Sequence, residues 1–396
     1  MNNNKITDGW KIVKLSDIAD ISAGGTPRRN VQEYWKNGDI PWLKISDLKN
    51  TYVNSAEEKI NQNGLKNSSA KIFPIGTLVY SIFATLGAMS ILEIPAATNQ
   101  AIAGIIPNNT LIDTKYLYYC LHSEKNNILS KKSHATQDNI NLTILRNHEI
   151  PLPPLPTQKK IAVILEKAEK LREWRKEADG LTDEFLKSTF LEMFGNPVEN
   201  PKGWEKSTID AITVHHKQGF YTNSGYTETG IKLIRITDIT EYGSLTYDDM
   251  PRLDLDSKTT EQFKVQKGDF LFARSGVSIG RCAIVEKDIP CVFGSYIIRF
   301  RFDQNRINNK FFLFLMKFPQ LQSNLKNYAH GSTNPNINAE NIKNIAIFIP
   351  PLLLQEKFAS FVQQIEQVRQ HQKQSKQQID HFFNLLMQKA FNGGEN

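Results

Sequence analysis

The chain has 396 residues, a net charge of +7 and 40% hydrophobic residues, too many residues for one ordinary core in a composition typical of soluble globular proteins. No run approaches the ~20 apolar residues of a membrane helix, and the opening Met1–Lys5 lacks the apolar centre of a signal peptide. Three cysteines, Cys120, Cys282 and Cys291, odd in number and without metal spacing, argue against a disulfide framework and for a reduced, cytoplasmic setting.

The basic excess sits in two stretches. Residues 1–155 carry 16 Lys/Arg against 13 Asp/Glu, and residues 193–352 carry 19 against 16. Residues 156–192 balance at 8 and 8, and residues 353–396 carry 5 and 4. A modest surplus of this kind fits a polyanion partner.

In chain order, the first stretch opens with Gly9-Trp10, Leu15 and Ile18, then a polar loop, Ser22-Ala23-Gly24-Gly25-Thr26-Pro27-Arg28-Arg29. Alternation of apolar and polar residues predicts a strand over Ile40–Leu48. Gly76 reads as a turn before a buried strand that reaches Tyr80. After Ile94-Pro95 come an aromatic-rich helix at Thr114–Leu121, a polar loop at His134–Asn141 and a last strand at His148–Leu152. Pro153-Pro154-Leu155-Pro156-Thr157-Gln158 then launches a long helix, expected over Thr157–Glu192, with Thr157 as its N-cap. Ile161, Ile164, Leu165, Ala168, Leu171, Trp174, Ala178, Leu181, Phe185 and Leu186 form one stripe along it. Gly195-Asn196-Pro197 stops it.

The order then repeats. Gly203-Trp204 with Ile209 and Ile212 answers the opening, and Lys217-Gln218-Gly219-Phe220-Tyr221 loosely answers the polar loop. Ile231–Ile239 is the second predicted strand and Gly268 the second turn glycine. A small-residue loop, Arg274–Gly280, follows. Asn309–Lys317 is the aromatic-rich helix, His330–Asn338 the polar loop and Ile345–Ile349 the last strand. Pro350-Pro351-Leu352-Leu353-Leu354-Gln355, 197 residues after the first junction, launches a second long helix, expected over Leu353–Phe391. Its stripe is Phe358, Phe361, Val362, Ile365, Val368, Ile379, Phe382, Phe383, Leu386 and Ala390, with a polar stretch between Arg369 and Gln378 expected to face solvent or another protein.

A colinear match of this length indicates internal duplication, since solenoid repeats have periods of ~20–50 residues. The expected fold class is α/β (α+β): two tandem repeats, each a mixed lobe followed by a long helix. Helices with a single apolar stripe need a partner, and pairing with each other about a pseudo-twofold axis makes an antiparallel coiled coil. The expected divisions are 1–152 (first lobe), 153–198 (first helix), 199–349 (second lobe) and 350–396 (second helix). A helix of about 36 residues would be roughly 54 Å long, more than one DNA turn of ~34–36 Å.

Catalytic constellations are expected to be absent: no GxxxxGK[ST] phosphate loop, no HExxH zinc pair, no GxSxG elbow, no Asn/Asp-Pro-Pro-aromatic run and no dinucleotide-binding glycine loop. His215-His216 is an isolated pair, a poor metal site. Cys282 and Cys291 lie in apolar strand-like contexts and read as buried thiols.

The two Pro-Leu/Gln junctions, the Gly-Trp lobe openings, the helix exit Phe190-Leu191-Glu192-Met193-Phe194-Gly195-Asn196-Pro197, the Gly24–Pro27 loop and Thr136-Gln137-Asp138-Asn139-Ile140 together resemble the specificity subunits of type I restriction–modification systems, over essentially the whole chain. The resemblance implies two target recognition domains, each reading one half of a split sequence in double-stranded DNA, with the helices as a spacer. It also implies docking of two methyltransferase subunits, joined in the full complex by restriction subunits. S-adenosylmethionine, ATP and Mg would belong to those partners, and this chain would bind no cofactor or metal and catalyse nothing. The second repeat departs from the first at Thr333-Asn334-Pro335-Asn336-Ile337. The competing expectations are a two-lobed protein-interaction scaffold and an enzyme with an unfamiliar site.

Candidate DNA-contacting residues are polar loop residues: Arg28, Arg29, Lys44, Ser46, Lys131, His134, Thr136, Gln137 and Asn139 in the first lobe, and Lys217, Gln218, Tyr221, Arg235, Thr237, Arg274, Ser275, His330, Ser332, Thr333, Asn334 and Asn336 in the second. Arg and Lys suit phosphates and guanine edges, and Asn and Gln suit adenine. Pro153 and Pro350 are expected to preset the exit angle from each lobe.

Overall fold

The computed structural model describes residues 9–130, 140–223, 225–328 and 335–391. The chain forms two compact units, one of residues 1–176 with 373–396 and one of residues 177–372. Each unit therefore holds one lobe with part of both long helices.

In the first unit, Lys11–Lys14 pairs antiparallel with Glu149–Leu152 and ties the lobe's ends together. A five-stranded sheet has the order Ala19–Ala23, Ile102–Pro107, Leu78–Ser81, Met89–Leu92, Tyr52–Val53. A smaller sheet has the order Glu58–Ile60, Ile40–Leu43, Ala96–Thr98, Ile72–Phe73. The second unit repeats the plan. Glu205–Thr208 pairs with Ala346–Ile349. The larger sheet runs Thr213–Gln218, Ile297–Phe302, Phe270–Ala273, Cys282–Ile284, and the smaller runs Arg252–Leu253, Ile231–Ile234, Cys291–Phe293. Gly76 and Gly268 take the left-handed turns, at φ +81° and +91°, that introduce the two central buried strands.

Both predicted strands at Ile40–Leu48 and Ile231–Ile239 are cut short, at Leu43 and Ile234. The cause is an aspartate in each. Asp47 accepts the Lys44 N–H and Asp238 accepts the Arg235 N–H, both at 2.7 Å, and each carboxylate closes a 3-10 turn over residues that alternation alone would leave extended.

The long helices span Leu155–Phe194 and Leu352–Phe391. The first therefore starts before Thr157, which is not its cap: the Thr157 and Gln158 N–H groups both donate to the Pro154 carbonyl. The end is held by Gln158 instead. Its buried carboxamide accepts the Asp113 N–H at 2.8 Å and donates to the carbonyls of Leu111 (3.0 Å) and Pro153 (2.8 Å). Gln355 repeats each bond: it accepts the Asn308 N–H at 2.8 Å and donates to Arg306 (3.0 Å) and Pro350 (2.8 Å). Asp113 and Asn308 are the N-caps of the aromatic-rich helices Thr114–Ser123 and Asn309–Met316. One side chain thus joins the Pro-Pro junction, the first turn of the long helix and the cap of the lobe helix.

Within each unit the early part of one long helix lies against the late part of the other, which is antiparallel pairing. In the first unit Ala162, Leu165 and Ala168 share a core with Phe383, Met387 and Phe391, and Arg172 Nε bonds Asp380 at 2.7 Å. In the second, Leu186, Phe190 and Phe194 share a core with Phe358 and Val362, and Arg369 pairs with Asp183. The polar stretch is partly engaged there, since Gln372 donates to Thr182 Oγ1 at 2.9 Å. The burial of the stripe is incomplete. Ile164, Leu171, Trp174, Leu181, Phe185, Val368 and Phe382 stay exposed.

The lobes are held differently. In the first unit Glu166 binds Lys115 (2.6 Å) and the Tyr52 hydroxyl (2.7 Å), and Glu169 accepts from Tyr119 (2.8 Å) and Thr51 (3.0 Å). Desolvation pushes the Glu166 carboxyl up, but the Lys115 and Tyr52 bonds outweigh it and leave its pKa below the usual value. In the second unit an equivalent ion pair, Lys310 to Glu366 at 2.6 Å, is joined by an aromatic cluster in place of the tyrosine bonds: Phe190 packs against Phe194, Phe311, Phe314, Phe318 and Phe358 at ring-centroid distances of 4.7–5.8 Å. Replacement of Phe190 by Ala is expected to cost about 3–5 kcal/mol in denaturant unfolding. A loss under about 1 kcal/mol would show that this cluster does not anchor the unit.

Candidate nucleic-acid interface

The described candidate residues of each lobe lie on loops that leave one end of its larger sheet or the adjoining edge of the smaller one. In the first lobe the register pairs Ala23 with Ala103 and Ile102 with Ser81. The loop after Ala23, the loop before Ile102 and the loop after Ser81 therefore leave from the same end. Ile140, where the described chain resumes, donates to the Ile82 carbonyl at 3.0 Å. The smaller sheet meets this corner as well, since the Asn99 N–H bonds the Leu43 carbonyl at 3.1 Å, beside Lys44 and Ser46. The second lobe matches it: Gln218 pairs with Ile298, Ala273 with Ile297, the Ile337 N–H bonds the Arg274 carbonyl at 2.9 Å, and the Gly294 N–H bonds the Ile234 carbonyl at 3.1 Å.

Gly24 and Gly219 make the corner possible. Each donates its N–H to the partner strand, at Ile102 (3.0 Å) and Ile297 (2.9 Å). A Cβ on Gly24 would lie 2.1 Å from Thr98 Oγ1, and one on Gly219 would lie 2.1 Å from the Gly294 carbonyl. Gly25 is equally confined by Ser69 and Ala70.

Around this frame the first-lobe candidates divide. Trp42 Nε1 donates to the Gly25 carbonyl at 2.9 Å, and Trp35 Nε1 donates to the Arg28 carbonyl at 3.3 Å. The Arg29 guanidinium lies 3.9 Å from the Trp35 ring and 4.6 Å from the Trp42 ring, and pairs with Glu58. Lys44 bonds Glu57 (3.0 Å) and Glu58 (2.9 Å). The Arg29 bond holds the Glu58 carboxyl below its usual pKa, against desolvation and with help from Lys44. Arg28 and Ser46 are exposed. Lys131, His134, Thr136, Gln137 and Asn139 lie outside the described residues.

In the second lobe Arg235 forks onto Asp238 through Nε (3.1 Å) and Nη2 (2.9 Å), and Arg274 Nε bonds the Ile337 carbonyl at 3.0 Å. Ser275 is buried and bridges to Asn336, so these two hold the loop base and do not face solvent freely. Lys217 lies over the Phe263 ring at 4.6 Å, while Gln218, Tyr221 and Thr237 are exposed. His330, Ser332, Thr333 and Asn334 lie outside the described residues.

One expectation is corrected outright. Gly276-Val277-Ser278-Ile279-Gly280 does spell GxSxG. It forms no elbow: a 3-10 turn at Gly276–Ser278 links the strands Phe270–Ala273 and Cys282–Ile284, no helix follows, and Ser278 is buried. All three cysteines are buried, and burial pushes the Cys291 thiol up to about 11. Among the described residues no group of His, Cys, Asp and Glu is arranged to hold a metal ion, and no helix is long and apolar enough to cross a membrane.

The residues that sequence reasoning passed over are the supports: Trp35, Trp42, Glu58, and the two aspartates, Asp47 and Asp238. The aspartates carried a usable signal, standing at the same place in Lys44-Ile45-Ser46-Asp47 and Arg235-Ile236-Thr237-Asp238.

The chain matches the family described as "Type I restriction modification DNA specificity domain" twice, over residues 7–178 and 201–381. It is 28% identical over 397 residues to the type I restriction enzyme MjaIX specificity subunit of Methanocaldococcus jannaschii, covering 93% of this chain and 90% of that protein. It is 27% identical over 177 residues to the EcoprrI specificity subunit of Escherichia coli, covering 41% of this chain and 44% of that one. In fold it is similar to the S subunit of a type I restriction–modification system from M. genitalium, with a TM-score of 0.58 at 18% identity over 99% of this chain and 98% of that chain. A chain from a structural study of complex assembly in a type I system gives a TM-score of 0.62 at 18% identity, over 98% of this chain and 99% of that one.

Gly24→Ala is expected to lower the melting temperature of the chain by several degrees, because backbone at Thr98 and Asn99 leaves no room for the methyl group. An unchanged melting temperature would show that the corner is not close-packed.

Proposed function

The chain belongs to the type I restriction–modification DNA specificity family, and we propose that it is the subunit that recognises an asymmetric, gapped site in double-stranded DNA, one half per lobe. The observation that carries this reading is the convergence, at one end of the larger sheet in both lobes, of loops that share a frame but differ in side chains. Arg28 in one lobe stands against Gln218 and Tyr221 in the other, while Ser46 and Thr237 present equivalent hydroxyls at one shared position, so a common fold would present two sets of donors and acceptors that differ around a common element. Different sets read different half-sites, hence the asymmetry. The long helices would fix the spacing of the two halves.

The exposed apolar positions on the helix pair support docking of two methyltransferase subunits. Phe185 and Phe382, 197 residues apart, are 54% and 51% exposed, and Leu171 and Val368, also 197 apart, are 42% and 44% exposed. Each unit thus carries an equivalent uncovered strip, and in the second unit it lines a groove with Leu181 and Ile365. Equivalent strips fit two copies of one partner. Restriction subunits would join through those partners. S-adenosylmethionine, ATP and Mg would reside on them, and this chain would act in the cytoplasm as a non-catalytic subunit.

Selection of random duplex DNA by the chain together with its methyltransferase partner tests the reading. Enrichment of two short, different half-sites separated by a fixed gap is expected, with affinity falling steeply as salt rises. Enrichment of no motif would leave the protein-interaction scaffold as the better account.

A further inference from the structure

We propose that Arg28 is the DNA-contacting cation of the first lobe's corner, and that its neighbours Arg29 and Lys44 position it without touching DNA. The inference rests on the proposed function and assigns separate roles within one cluster.

Three cations, Arg28, Arg29 and Lys44, share this corner with three carboxylates, Asp47, Glu57 and Glu58. All three are taken, Asp47 by the backbone N–H groups of Lys44 (2.7 Å) and Glu57 (3.4 Å). Glu58 binds Arg29 and, at 2.9 Å, Lys44, while Glu57 binds Lys44 at 3.0 Å. Arg29 is further committed by lying against two tryptophan rings. Arg28 is therefore the one cation of these three that no carboxylate engages among the described residues. Its side chain is exposed, and among the described residues no hydrogen bond, ion pair or ring contact engages its guanidinium.

The backbone beneath that free side chain is fixed on both sides. The Arg28 carbonyl accepts from Trp35 Nε1 at 3.3 Å and from the Val31 N–H at 3.1 Å. Pro27 before it is buried, Thr26 is bonded to Gln100, and the Gly25 carbonyl is held by Trp42. A guanidinium carried on a rigid base loses little freedom on binding. Its planar fork of donors matches a pair of acceptors, either the O6 and N7 of guanine or two phosphate oxygens. Arg29 and Lys44 are positioning residues, since their donors already face carboxylates and rings.

The test compares Arg28→Ala, Arg28→Lys and Arg29→Ala, each in the full chain with its methyltransferase partner, against the duplex selected by the unaltered complex and a scrambled duplex, over a salt series. Arg28→Ala is expected to weaken binding of the selected duplex about tenfold or more with an unchanged melting temperature. Arg29→Ala is expected to lower melting temperature and binding together. If Arg28 meets a phosphate, Arg28→Lys restores most of the affinity, and Arg28→Ala reduces the salt slope by about one and weakens both duplexes alike. If it meets guanine, lysine does not restore affinity and one position of the half-site relaxes. Retention of wild-type affinity and base preference by Arg28→Ala would overturn the assignment. Failure of the unaltered complex to select any duplex would instead count against the proposed function.

Discussion

A buried carboxamide at each lobe–helix junction is the constraint on which both repeats depend. Gln158 and Gln355 are fully buried, and each makes one accepted and two donated bonds to backbone groups of two segments, the approach to the lobe helix and the proline junction. Loss of such a side chain leaves buried backbone donors and acceptors unpaired, at ~1–3 kcal/mol for each group. An apolar replacement cannot supply the bonds, and a shorter amide cannot reach them. Both junctions use the same residue at the same offset from the proline pair. The prolines stop the last strand, and the glutamine fixes where the helix leaves. The hinge is therefore a clamp.

From that anchor the rest of each lobe is built outward. The clamp fixes the cap of the aromatic-rich helix, which packs on the larger sheet, and the sheet's far loops carry the exposed polar residues. The repeats share this scaffold to within fractions of an ångström in hydrogen-bond length, and both tie a lobe-helix lysine to a long-helix glutamate, Lys115 to Glu166 and Lys310 to Glu366, each at 2.6 Å. Around that pair they diverge: tyrosine hydroxyls bond the glutamates in one unit, and six phenylalanine rings cluster in the other. Duplication followed by divergence leaves backbone geometry intact where one side chain holds several segments. It permits free exchange where many side chains share the task.

The duplication, the two mixed lobes, the turn glycines and the two long helices were legible in the sequence because each has a local signal. Periodicity marks the helices, and Gly76 and Gly268 sit where left-handed backbone is required. The strand ends at Leu43 and Ile234 were not legible, because alternation continues past them and only the bond from aspartate to the backbone three residues earlier ends the strand. Thr157 looked like a cap by residue type, while the actual restraint comes from Gln158 reaching across to Leu111 and Asp113, contacts that no local pattern encodes. The stripe on the long helices gave their direction of packing but not its extent, since Ile164 stays exposed beside buried Ala162 and Leu165. At the candidate interface, sequence picked residues by chemistry alone. Only geometry separates exposed Arg28 from committed Arg29, or exposed Thr237 from buried Ser275.

The central claim is that each lobe reads its own half of the site on a shared frame. The most direct measurement maps methylated bases in cells that carry the methyltransferase partner with either the unaltered chain or a second-lobe variant, Gln218→Ala with Tyr221→Ala and Thr237→Ala. These three side chains are exposed and outside the core. The account predicts that one half of the methylated motif loses base preference while the other half and the gap stay the same. Loss of preference in both halves by a variant that remains folded, or an unchanged motif, would contradict it.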